Sequence, residues 1–84
     1  MGKVKITYRV FPEDNYDVKK LAVDLSKIDK VKAVEREPIG FGVEAIKIAA
    51  ILDDKTDSPA TFDEKLRKTK GVKNVEDLDV TLIS

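Results

Sequence analysis

Neither cysteine nor histidine occurs anywhere in the 84 residues. Disulfides, thiolate nucleophiles, zinc sites of the Cys/His kind and imidazole acid–base chemistry are excluded together. A surplus of charge of either sign is also missing: 16 Lys and Arg balance 16 Asp and Glu, for a formal net charge of zero. Nucleic acids and anionic membranes reward a basic surplus, so neither is expected as a direct partner. Long apolar runs are absent as well. The longest, IAAIL at residues 48–52, is far short of the ~20 residues a membrane span needs. The lysine-bearing N-terminus has no apolar stretch of signal-peptide type, so the expected location is the cytoplasm. A chain of this length makes one domain, residues 1–84, with a modest core.

What is present is strongly patterned. In VKITYRV (residues 4–10), Val4, Ile6, Tyr8 and Val10 alternate with Lys5, Thr7 and Arg9, the period-2 signature of a strand buried on one side. After a break at FPEDNYD, residues Val18, Leu21, Ala22, Leu25 and Ile28 recur at helical spacing, with Asp14 or Asn15 placed to cap the first turn. Residues 29–39, DKVKAVEREPI, mix apolar residues with many charges and include Pro38, as suits a sheet edge. Residues 43–52, VEAIKIAAIL, are far more apolar and belong in a sheet interior. The intervening GFG reads as a hairpin connection. Ser58 and Pro59 mark the N-cap and first position of a second helix, with Phe62 and Leu66 inward and Gly71 closing its C-terminal end. In the last segment Leu78, Val80 and Leu82 alternate with Asp79 and Thr81, giving a second edge strand.

The order βαββαβ predicts an α+β fold of the ferredoxin-like, split βαβ type: a four-stranded antiparallel sheet with two helices on one face. The first and third strands are expected in the centre and the second and fourth at the edges, where composition independently places them.

Few constellations carry chemistry. Asp53, Asp54 and Asp57 could gather round a hard cation, but no glycine or distal glutamate completes a calcium loop, and no metal or cofactor is assigned. The glycine-rich phosphate loops need a further glycine and a lysine that GFG lacks. An RNA-binding version of the fold would need stacking aromatics on its central strands; Tyr8 is the sole candidate and alternates with the core residues. Phe41, between Gly40 and Gly42, has two readings. Its ring folds back over the core, or it is offered at a rigid tip as an anchor for another protein.

The stretch EPIGFGVEAIKIAAILDDK, through Pro38, Ile39, Gly40, Phe41, Gly42, Val43, Ile46, Ile48, Asp54 and Lys55, resembles the nucleotide-exchange domain of the translation elongation factor 1-beta family. In its compact length the chain is similar to the archaeal form. That resemblance implies a non-catalytic exchange factor of ferredoxin-like fold, monomeric when free, that binds the GTPase elongation factor 1-alpha and speeds release of GDP. It implies a partner-binding site at Ile39, Gly40, Phe41 and Gly42, with Phe41 as the docking aromatic. Eukaryotic relatives also carry a lysine beside the C-terminus that reaches the magnesium and phosphate site. Here the last strand lines up through Asp79, Val80 and Thr81 and continues as Leu82, Ile83 and Ser84, without that lysine. The resemblance therefore points to Phe41 and its hairpin as the part that displaces the GTPase's switch and phosphate-loop elements. The alternative reading is a small-molecule-sensing or oligomerising ferredoxin-like module, paired through a sheet edge.

Overall fold

Alternation along the chain decides which face of each strand the helices cover. The computed structural model describes residues 2–83; Met1 and Ser84, the ends of the expected domain, lie outside the described residues. Strands β1 (Lys3–Pro12), β2 (Val31–Gly40), β3 (Val43–Asp53) and β4 (Val72–Leu82) alternate with helices α1 (Val18–Ser26) and α2 (Pro59–Arg67). The strands form one sheet in the order β2-β3-β1-β4, antiparallel throughout. The fold is thus the ferredoxin-like α+β sandwich that the sequence predicts, with the apolar β3 inside and the charged β2 at an edge.

The core forms where the alternating face of β1 meets that of β3. Ile6 pairs with Ala50, Tyr8 with Ile48 and Val10 with Ile46. These side chains, with Leu52, Leu21 and Leu25 of α1, Phe62 and Leu66 of α2 and Val75 of β4, make one buried cluster. Tyr8 lies fully inside it, its ring 5.8 Å from that of Phe62, as its alternation with core residues predicts. Burial, reinforced by the carboxylates of Asp77 and Asp63, pushes its phenol up to about 12. The opposite face of the sheet carries no helix. Lys5, Thr7, Ala33, Glu35, Lys47, Ala49 and Asp79 border a shallow depression there of about 310 Å³.

Several boundaries differ from expectation for identifiable reasons. The N-cap of α1 is Asp17, whose carboxylate accepts from the amides of Lys19 (3.0 Å) and Lys20 (3.3 Å). Asp14 and Asn15 are instead taken up in the preceding turn, where Asn15 adopts φ +64 and the Tyr16 amide donates to the Glu13 carbonyl at 3.1 Å. Ile28 lies beyond the end of α1 but still packs on the core. Ser58 caps α2 as expected, accepting from the Thr61 amide, with Pro59 at its start. The helix closes at Lys68, however, and Gly71 serves the next turn. A side chain there is barred twice: φ is +93, and a Cβ would lie 2.5 Å from the Tyr16 ring. On β4 the expected alternation breaks at Leu78. Tyr8 pairs with Asp77 and Thr7 with Asp79, leaving Leu78 as a bulge. Val80 and Leu82 oppose Ile6 and Val4 yet are 64% and 70% exposed, beyond the cover of the helices.

Candidate functional site

The hairpin between β2 and β3 places an aromatic ring where the fold gives it nothing to pack against. Gly40 pairs with Val43, so Phe41 and Gly42 are the two turn residues. Their φ values are +54 and +74, and that of Gly40 is +108. Positive φ at both central positions is what a tight two-residue hairpin of matching twist requires. Glycine adopts it freely; phenylalanine does so at a cost of roughly 1–2 kcal/mol. The Phe41 side chain recovers none of that by burial, being fully exposed at 106% of its reference area. A Cβ added at Gly40 or Gly42 would meet nothing within 4 Å. These glycines therefore serve the backbone geometry and keep the ring's surroundings clear.

Of the two readings open in the sequence, the ring tucked over the core is excluded and the outward ring stands. Ile39 and Val43 flank it at 44% and 49% exposure, so the tip offers three apolar side chains. Ile39 is carried outward by a register shift between Pro38 and Gly40. The sequence pattern placed Val43 in the sheet interior and did not suggest that it joins the tip. Val43 is the first residue of β3, and the register leaves it with β2 as its one neighbouring strand.

The other candidate positions are engaged elsewhere. Asp53 accepts from the Lys55 amide at 2.8 Å, and Asp54 from the Gly2 amide at 3.1 Å. Asp57 accepts from the Asp53 amide at 2.8 Å and pairs with Lys30 at 3.4 Å; together these hold its carboxyl below the usual range. Asp53 and Asp57 thus organise the loop between β3 and α2, and Asp54 ties its start to the residue ahead of β1. Among the described residues no group of three His, Cys, Asp or Glu is arranged to hold a metal, and no helix is long and apolar enough to cross a membrane. The C-terminal end of β4, which the resemblance also implicates, pairs with the beginning of β1 through Val4 and Leu82. It lies at the end of the sheet opposite the hairpin.

Fold and tip together define a small ferredoxin-like module that carries a fully exposed aromatic ring on the turn of its β2–β3 hairpin. The family model for the EF-1 guanine nucleotide exchange domain matches residues 5–84, and the chain belongs to that family. It is 38% identical over 84 residues to elongation factor 1-beta of Methanoregula boonei, covering 98% of this chain and 99% of that protein. The protein of the same name from Methanoculleus marisnigri is 33% identical, covering 99% of this chain and all of its own. That from Thermofilum pendens is 30% identical over the whole of this chain and 99% of its own. All three relatives are archaeal, and the resemblance read from the sequence is correct.

Proposed function

We propose that this chain, acting as one domain over residues 1–84 in the cytoplasm, promotes release of GDP from the GTPase elongation factor 1-alpha during translation elongation. The observation that carries the reading is Phe41: fully exposed and held in a strained turn, it has no role in this chain's own packing. A ring with two rotatable bonds on a tight turn loses little entropy on docking, which suits it to fill a pocket in a partner. With Ile39, Gly40 and Gly42 it forms the binding tip.

The protein makes and breaks no bonds. It stabilises the empty or distorted GTPase over the GDP-bound one, and that difference in affinity is what drives nucleotide out. Tyr8, whose titration is strongly shifted, sits in the core away from the tip, so its shift reflects burial and marks no acid–base site. The expected test outcome is that fluorescent GDP leaves elongation factor 1-alpha faster when this protein is added. Phe41→Ala should remain folded and lose most of that stimulation, with binding weakened by about 2 kcal/mol or more. Full stimulation by Phe41→Ala would remove the basis of the reading.

One observation favours the oligomerising alternative: β4 is an edge strand with Leu78, Val80 and Leu82 exposed. Against it stand the bulge at Leu78 and the carboxylates of Glu76, Asp77 and Asp79 along the same strand, both of which discourage edge pairing. A monomer when free is the proposal. Sedimentation velocity separates the two.

A further inference from the structure

Resting on the exchange-factor reading, we propose that Arg9 is a positioning residue: its guanidinium clamps the base of the hairpin arm and fixes the direction in which Phe41 is presented. The arm is a consequence of unequal ladders. Pairing of β1 with β3 ends at Val10 and Ile46, whereas β2 and β3 continue through Glu37 and Ala45, Pro38 and Glu44, and Gly40 and Val43. Beyond Ile46 the hairpin is therefore a two-stranded ribbon, a structure that is marginal without support from a third strand or a helix. The ribbon's own cross-strand ion pair, Arg36 with Glu44, is long at 3.8 Å.

On one side the ribbon's Val43 and Glu44 border a cleft shared with the turn from Pro12 to Tyr16; Arg9 adds a direct link from the bare face of the sheet. Its Nε donates to Glu37 on β2 at 3.0 Å and its Nη1 to Glu76 on β4 at 3.0 Å. One side chain on β1 thus joins both edge strands, and the link to β2 falls at Glu37, where the ribbon leaves the body. Ala45, opposite Glu37, has no exposed surface although it lies on the helix-free face. A methyl group there leaves room for the guanidinium to cross β3. Two donors in a planar fork, aimed at two carboxylates, are a task that lysine's single ammonium does not reproduce.

The arm's order enters the function as the fraction of molecules whose tip points correctly, and apparent affinity falls in proportion to that fraction. Two measurements test this. In the free protein, amide hydrogen exchange at residues 39–43 should quicken in Arg9→Ala and in Glu37→Ala, while the amides of the β1 centre stay protected. In the GDP-release assay, the concentration of either variant giving half-maximal stimulation should rise about two- to fivefold with the maximal rate unchanged. Arg9→Lys should fall between. If Arg9→Ala fails to fold, Glu37→Ala, which severs only the arm's side of the clamp, carries the test.

Unchanged exchange at residues 39–43 overturns the inference, since a direct contact of Arg9 or Glu37 with the partner would not alter the free protein. A lowered maximal rate at unaltered half-saturation overturns it too. If Phe41→Ala loses stimulation while Arg9→Ala keeps the unaltered half-saturating concentration, the clamp alone is wrong. If Phe41→Ala stimulates fully, it is the exchange-factor reading that fails.

Discussion

Phe41 is a residue whose local and global preferences conflict. Its left-handed backbone is disfavoured for an aromatic, its ring is wholly in water, and no neighbour compensates. Such a residue lowers the stability of the free molecule, which is the expected signature of a position kept for a partner. Asparagine tolerates this backbone region much better than phenylalanine. Phe41→Asn should therefore raise the stability of the free protein by up to about 1 kcal/mol, seen as a melting temperature higher by a few degrees. The same variant should fail to stimulate GDP release. A marked loss of stability would mean that the ring has a packing role in the free protein. The sequence leaves this residue undecided, because GFG is compatible with a ring turned inward or outward. That choice depends on where the hairpin lies relative to the core, which is a property of strand register.

At the level of elements, turns are where sequence and structure part company. The helix faces and strand alternation were legible because burial acts on every repeat of a pattern: Leu21 and Leu25, Phe62 and Leu66, and the series Ile6, Tyr8, Val10 all point inward. Caps compete locally. Asp14, Asn15 and Asp17 are all competent, and Asp17 wins because the preceding residues are held in a turn against Gly71, whose carbonyl accepts from the Glu13 amide at 2.7 Å. That contact makes Gly71 a joint between the α1 and α2 halves of the molecule, which its position near a helix end did not suggest. Gly71→Ala should destabilise by about 2–4 kcal/mol, because a positive φ and a clash with the Tyr16 ring add. Gly42→Ala, with a positive φ but open space around it, should cost only about 1 kcal/mol. Urea denaturation of both measures the difference. Equal effects would show that the Tyr16 ring moves aside without penalty.

Over the whole molecule, the fold reads as a handle and a tip. The chain extends 42 × 21 × 17 Å, with the core in the helix-covered part of the sheet and the ribbon of β2 and β3 running past the end of the β1–β3 ladder. A protein of this kind acts only through linkage: if it lowers the GTPase's affinity for GDP by some factor, GDP must lower the GTPase's affinity for it by the same factor. Titrating the complex with GDP, and comparing binding to the nucleotide-free and GDP-bound forms, should return one ratio for both directions. Equal affinity for the two forms would exclude the mechanism, however tight the binding. By itself the sequence determined the element order, the core faces of both helices and of β1 and β3, the central and edge strands, the absence of cysteine and histidine chemistry, and the family. Each of these is set by composition or by a repeating pattern that burial reads many times over. Only the tertiary structure decided that Phe41 faces water, that Val43 joins it, and that Arg9 reaches both edge strands. These depend on which strand runs longer than its neighbour and on the residues set opposite one another across the sheet, and no repeat along the chain encodes such pairings.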